Sequence, residues 1–126
     1  MINNYKSIVI KIGSSSIVNS KTKRIKSNWL IKLCEDIANL HKSRKIVIVC
    51  SGAIALGSKI IKNQKSLRRL ENKQAAAAAG QIELAHQWKL KLKKYNIDAA
   101  QLLLTLDDSE VRRRYLNARK TIDALH

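Results

Sequence analysis

Proline and phenylalanine are both absent from this 126-residue chain, and aromatic residues make up only 4% of it. The missing proline removes one class of turn signal. Because aromatic residues are scarce, a core must rest on Ile, Leu, Val and Ala. Apolar runs are short as well, and none approaches the roughly 20 residues of a membrane-spanning helix. We therefore expect no membrane partner.

Cysteine is scarce too, with only Cys34 and Cys50, and both lie within apolar patterns. Their separation does not match the close pairs that bind metals, and no secretory leader precedes them. These features predict two reduced, buried thiols in a cytoplasmic protein, and no metal site.

Acidic residues are few, with 9 Asp and Glu against 25 Lys and Arg, which gives a net charge of +16. A basic excess is typical of proteins that bind nucleic acid, an anionic membrane surface or an anionic small substrate. Here the basic residues are spread along the chain, and no aromatic residues alternate with them as base stacking would require. We therefore interpret the charge as compositional and do not expect nucleic-acid binding.

Two β-branched segments predict strands, at residues 5–12 and 45–50. Between them, apolar residues recur every three or four positions, which predicts a helix from its N-cap at Ser27 to about Lys42. A strand, a helix and a strand with short links form a βαβ unit, so the strands should be parallel. With 45% hydrophobic residues, we expect one α/β domain over residues 1–126.

The other segments carry weaker signals. The alanine run that ends at Gly80 has no bulky side chains, so two helices could pass closely there, or a loop could lie against it. We predict a loop over 13–16, a surface excursion or short hairpin over 17–26, helices over 54–61 and 71–95, a loop or helix continuation over 63–70, a third strand over 97–105, an irregular segment over 106–116 and a last helix over 118–126 capped by Asn117.

The ends of the two predicted strands carry the residues best suited to chemistry. Lys11 and "GSSS" (13–16) end the first strand, and Ser51-Gly52-Ala53 ends the second. Ligands of parallel sheets bind at the carboxyl ends of strands, where small residues expose backbone N–H groups and helix N-termini favour anions. This pattern favours a phosphate or a carboxylate. It is neither a P-loop nor a nucleophile elbow.

Five segments in this order resemble the N-terminal part of the glutamate 5-kinase family, a branch of the amino acid kinase superfamily. They are "IVIKIGSSSIV" (8–18), "IVIVCSGAIALG" (46–57), "NKQAAAAAGQ" (72–81), "QLLLT" (101–105) and "YLNARKTI" (115–122). The resemblance implies a three-layer αβα fold with a mainly parallel sheet, of which this chain would be the N-terminal half. It also implies transfer of the γ-phosphoryl group of ATP, with Mg²⁺, to the side-chain carboxylate of glutamate, the first step of proline biosynthesis.

The resemblance also implies roles for individual residues. Lys11 would be catalytic and would contact the transferring phosphoryl group, with Gly13 and Ser14 beside it as ATP-binding residues. The substrate-binding residues would be Ser51, Gly52 and Ala53. Cys50 stands where the family usually has Thr or Ser.

Several expected parts of the family pattern have no counterpart in these 126 residues. They are the Asp and Asn that bind glutamate, a second catalytic lysine, its orienting Asp and most of the nucleotide pocket. We therefore expect negligible activity from the isolated chain, and either self-association or binding of a complementing C-terminal fragment. Two alternatives stay open, a non-catalytic basic module that binds nucleic acid or an acidic partner, and a degenerate gene remnant.

Overall fold

The computed structural model of the protein describes residues 5–126, so residues 1–4 of the predicted domain lie outside the described residues. Two strands form a small parallel sheet, with Ser7 opposite Lys45 at one end and Ile12 opposite Cys50 at the other. A helix joins the two strands. The predicted βαβ unit and the α/β class are thereby confirmed.

Both strands lie within the first 50 residues, and the elements after them are helices and 3₁₀ turns. In chain order they are β1 (Ser7–Ile12), α1 (Ser14–Ile17), α2 (Ser27–His41), β2 (Lys45–Cys50), α3 (Ala53–Gly57), 3₁₀ turns at Ser58–Ile60 and Gln64–Arg68, α4 (Leu70–Lys93), α5 (Leu106–Glu110) and α6 (Arg112–Ala124). None of the helices in this part of the chain is both long enough and apolar enough to cross a membrane.

The core lies on one side of the sheet. Successive side chains of a strand point to opposite faces, so Ile10, Ile12 and their partners in β2 share one face. This face packs against apolar residues of α2 and α4, among them Leu30, Cys34, Ile37, Leu84, Trp88 and Leu92. The opposite face carries the exposed residues Val9 and Val49. Within residues 5–126 the fold therefore has two layers, and the second helical layer of a three-layer arrangement is not among them.

Helices α3 and α4 touch through their backbones. A Cβ atom at Gly80 would lie 1.8 Å from the carbonyl oxygen of Ala53, and one at Gly57 would lie 1.8 Å from the carbonyl oxygen of Ala76. Neither glycine can be replaced without a shift of one helix. Of the two arrangements predicted at the alanine run, the close passage of two helices is the one present, and the partner helix is α3.

The hairpin predicted over 17–26 is present. Val18 and Ile25 form an isolated antiparallel bridge. Asn19 supports the turn between them, because its Oδ1 accepts hydrogen bonds from the backbone N–H groups of Lys21 and Thr22, at 2.9 and 3.0 Å. Asparagine side chains in turns commonly accept hydrogen bonds from backbone N–H groups a few residues further along the chain.

The predicted third strand is wrong. Residues 97–105 form no strand, and Leu103 and Leu104 are 75% and 58% exposed. A strand exists only when a neighbour completes its hydrogen-bond ladder. In the described residues the ladder joins β1 and β2 alone. An apolar run indicates that a segment favours burial, but it does not show which strand, if any, pairs with that segment.

The predicted ends of two helices are also wrong. α2 has Ser27 as its first residue and Lys26 at the cap position, without a side-chain cap bond. α6 begins at Arg112, so Asn117 lies inside it and caps nothing. The segment predicted to be irregular contains α5, held by a capping box. In this box, the Asp108 carboxylate accepts hydrogen bonds from the backbone N–H and the hydroxyl of Thr105, at 2.6 and 2.8 Å.

Replacement of Gly80 by Ala should destabilise the fold. An alanine in a helix interior normally gains about 1 kcal/mol over glycine. At Gly80 the added methyl would overlap the backbone of α3. We expect a net loss of at least about 2 kcal/mol in the free energy of unfolding, as in overpacked cores. Urea denaturation followed by circular dichroism measures it.

The matched control is Gly13→Ala. A Cβ at Gly13 would meet nothing within 4 Å, and its φ of −75° suits any residue. We expect stability to be unchanged or raised by up to about 1 kcal/mol. Equal effects of the two substitutions would show that the contact between α3 and α4 is not tight.

Candidate functional site

The two strand ends lie side by side, as the βαβ prediction requires. Ile12 and Cys50 are partners in the sheet, and the backbone N–H of Ser51 donates to the carbonyl oxygen of Ile12 at 3.0 Å. This bond extends the ladder by one step past the end of β2. The loops that follow β1 and β2 therefore start from the same edge of the sheet.

The first loop folds into a single helical turn rather than the open loop that we predicted. Gly13 is extended, and α1 follows it, with the backbone N–H of Val18 donating to the carbonyl oxygen of Ser14 at 2.8 Å. Lys26 stabilises this turn, because its Nζ donates to the carbonyl oxygen of Ser15 at 2.7 Å. The space beside Gly13 stays open, since a Cβ there would meet nothing within 4 Å.

The second loop depends on Gly52. Its φ is +123°, a conformation that favours glycine strongly. A Cβ at this position would also lie 3.1 Å from Cγ2 of Val18 and 3.3 Å from Cγ2 of Ile17. The turn after β2 therefore packs directly against the loop after β1. The glycine is explained by its backbone conformation and by this close contact.

The predicted site residues thus cluster in the structure. The ideal Cβ position of Gly52 is 3.8 Å from Cα of Ser14, so the two small-residue loops touch. Ala53 begins α3. Lys11 lies one residue before the end of β1, opposite Val49, and is exposed. Its place in the strand puts it on the sheet face opposite the core.

The full positive charges at this edge belong to Lys11, near the end of β1, and to Lys26, whose Nζ contacts the first loop. The helices that begin here are short, with four residues in α1 and five in α3. A helix dipole is the sum of its aligned peptide dipoles, so two such short helices add little. A full ammonium charge at Lys11 outweighs them.

The thiol of Cys50 adjoins the second loop. Its Sγ donates to the carbonyl oxygen of Ser51 at 3.2 Å. Burial raises the pKa of this thiol, and the indole of Trp88 opposes the rise. Burial also raises the pKa of the Cys34 thiol, to about 11, against a smaller lowering by Lys91. Both cysteines are free thiols, and Cys34 is buried as predicted, but Cys50 is only half-buried.

The sequence alone did not point to three residues that shape the site. Ile17 and Val18 form the surface against which Gly52 packs, and Lys26 holds the first loop. An apolar pair directly after "GSSS" was the available signal for the first two. The sequence does not distinguish Lys26 from the many other lysines, so its hydrogen bond to the carbonyl oxygen of Ser15 could not be predicted.

Two surface grooves of about 310 and 450 Å³ lie elsewhere, lined by residues 102–123. Within residues 5–126, no group of three or more His, Cys, Asp or Glu side chains could hold a metal ion. The strand ends remain the place where the predicted functional residues meet.

Comparison with known proteins agrees with this architecture. Residues 6–126 match the amino acid kinase family. The chain belongs to that family. Its curated relatives include proteins named glutamate 5-kinase from Rhodospirillum rubrum, 51% identical over 118 residues, and from Bartonella henselae, 51% identical over 122 residues. A third, from Bradyrhizobium diazoefficiens, is 46% identical over 125 residues.

In the same order as the relatives, these matches cover 93%, 96% and 98% of this chain, but only 32%, 32% and 34% of the relatives from Rhodospirillum rubrum, Bartonella henselae and Bradyrhizobium diazoefficiens. The chain therefore spans about a third of the length of the curated relatives it matches.

The raised thiol pKa values predict slow reaction with a disulfide reagent at pH 8. An ordinary thiol has a pKa of 9.0 and Cys34 has one of about 11, so its thiolate fraction is roughly 100-fold lower. We expect labelling of the native chain by Ellman's reagent to be far slower than labelling in urea, and to accelerate as the pH rises toward 11. A Cys50→Ser variant leaves Cys34 as the one thiol to be labelled. Rapid labelling of Cys34 in the native state at pH 8 would contradict the raised pKa of this buried thiol.

Proposed function

We propose that this chain provides the phosphoryl-transfer edge of a glutamate 5-kinase and acts in the cytoplasm. The observation that supports the proposal most directly is the contact between the two small-residue loops beside Lys11, in a chain of the amino acid kinase family. The substrates would be ATP and glutamate. The product would be glutamyl 5-phosphate, which opens proline biosynthesis.

The reaction needs little covalent chemistry from the protein. A glutamate carboxylate oxygen attacks the γ-phosphorus of ATP, the bond to the β–γ bridging oxygen breaks, and ADP leaves with that electron pair. The attacking carboxylate is already ionised at neutral pH, so no general base is required. The main obstacle is the approach of two anions, and positioning and charge neutralisation lower it.

Lys11 would supply the neutralising charge. It is an exposed cation at the carboxyl edge of the sheet, where ligands of parallel sheets bind. An ammonium group there lowers the repulsion between the carboxylate and the phosphoryl oxygens. It also stabilises the charge that spreads over those oxygens in the transition state.

The two loops would hold the reactants on either side of Lys11. The open space beside Gly13 allows a phosphate to approach the backbone of Gly13 and Ser14. The Ser51–Ala53 turn would bind glutamate through its backbone and the Ser51 hydroxyl. Because Gly52 packs against Ile17 and Val18, the two loops keep a fixed separation, which transfer between bound reactants requires.

The described residues contain no group of three or more His, Cys, Asp or Glu side chains that could hold a metal ion, so the Mg²⁺ that accompanies ATP would be held mainly by phosphate oxygens and water. We also propose that residues 1–126 alone are inactive, since they match only a third of the curated relatives and contain only one of the two expected catalytic lysines.

A chimaeric enzyme tests this proposal. The matched third of the Bartonella henselae relative is replaced by residues 1–126, and ADP release that depends on both ATP and glutamate is measured. We expect an active chimaera. Lys11→Met should lower its kcat at least about 100-fold, as loss of a transition-state contact does, with a much smaller change in KM for glutamate.

Lys21→Met is the matched control. Lys21 is an exposed lysine of the hairpin and lies outside the two loops, so kcat should be unchanged. The isolated chain should release no ADP above background. A folded chimaera without activity, or a Lys11→Met variant with full activity, would refute the proposal.

A further inference from the structure

A buried hydrogen-bond donor without an acceptor lies close to the second loop of the candidate site. Trp88 of α4 is only 8% exposed, and its indole Nε1 has no hydrogen-bond partner among the described residues. Leaving a buried donor unpaired is costly, and most such groups in proteins are paired. An unpaired indole N–H at this place indicates a role beyond filling the core.

The indole of Trp88 faces the thiol of Cys50. Cys50 packs against the core cluster that contains Trp88, and the indole N–H lowers the pKa of the thiol by favouring its ionised sulfur as an acceptor. A neutral thiol is a weak acceptor, so the N–H group meets the sulfur without forming a full hydrogen bond. The pair is in place, but the contact between its members is weak.

The same thiol holds the turn after β2. Its Sγ donates to the carbonyl oxygen of Ser51 at 3.2 Å. The Ser51–Gly52 peptide is trans, because the described residues contain no cis peptide bond, and the carbonyl oxygen and N–H of a planar trans peptide point in opposite directions. Since the Ser51 oxygen is held toward Cys50 on the core side, the Gly52 N–H is directed away from the core.

The Gly52 N–H is available to a ligand. No described residue accepts a hydrogen bond from it, whereas the Gly52 carbonyl oxygen accepts one from the N–H of Leu56 at 3.0 Å. A carboxylate forms a strong hydrogen bond with a backbone N–H group. We infer that Trp88 and Cys50 are positioning residues that orient the Gly52 N–H toward a carboxylate of glutamate. The inference rests on the proposed function and adds to it two residues that do not themselves contact the substrate.

Kinetic measurements on the chimaera described above test the inference. Cys50→Ala removes the thiol that holds the turn, so KM for glutamate should rise about threefold, as loss of one modest hydrogen bond predicts, with kcat and KM for ATP unchanged. Cys50→Ser introduces a hydroxyl, which is both a better donor and a better acceptor, and should lower KM for glutamate about threefold. Addition of Trp88→Phe to Cys50→Ser should cancel this gain, because phenylalanine has no N–H group.

Cys34→Ala is the matched control for these variants. Cys34 is the other cysteine of the chain and lies on α2 in the core, so its replacement removes the same thiol without changing the turn. Both KM values should stay unchanged. The inference is overturned by an unchanged KM for glutamate in Cys50→Ala, by an equal rise in Cys34→Ala, or by a gain in Cys50→Ser that persists with Trp88→Phe.

A second measurement does not depend on activity. The chain has two tryptophans, so residues 1–126 labelled with ¹⁵N give two indole N–H resonances. The resonance of Trp88, which Trp88→Phe removes, should move downfield in Cys50→Ser, because the hydroxyl accepts a stronger hydrogen bond. Trp29 is 38% exposed and serves as the internal control, with an unchanged resonance.

The two measurements separate failure of this inference from failure of the proposed function. An unmoved Trp88 resonance in Cys50→Ser overturns the inference even where the chimaera is active. An inactive chimaera together with a shifted Trp88 resonance supports the pairing of Trp88 with residue 50 and counts against the proposed activity alone.

Discussion

The contact between the backbones of α3 and α4 determines where the second loop of the candidate site lies. Gly57 and Gly80 allow the two helices to touch without side chains between them. α3 begins at Ala53, directly after Gly52, so its placement on α4 also places the turn. α4 in turn contributes Leu84, Trp88 and Leu92 to the core beneath the sheet. A helix far along the chain thus fixes the position of the Ser51–Ala53 turn.

Local sequence signals made part of the fold predictable. β2 has the bounds that the sequence predicts, and α2 and α4 differ from their predicted ranges by one or two residues. β2 is a continuous apolar run, α2 has apolar residues every three or four positions, and α4 is rich in strong helix formers. The parallel pairing followed from the helical crossover between the two strands, and with it the meeting of both strand ends at one edge.

Features that depend on non-local partners were not predictable in the same way. Residues 97–105 have strand composition, but no neighbouring strand pairs with them in the described part of the chain. The positive φ of Gly52 and its contact with Val18 could not be predicted from the sequence, since a glycine in a turn is compatible with several conformations. The capping box of Thr105 and Asp108 has a local spacing that the sequence does show, although the charged residues around it favour an irregular segment.

The register of the sheet has a consequence for how the chain folds. Every residue of β1 pairs with a residue 38 positions later, as Ser7 does with Lys45. The sheet therefore cannot form by local zippering, and the entropy of closing a long loop must be overcome first. Formation of α2 within that loop shortens the distance the chain has to search. During synthesis, β1 would stay unpaired until β2 has been made. The core beneath the two strands would be complete only after Leu84 and Trp88 of α4 have also been made.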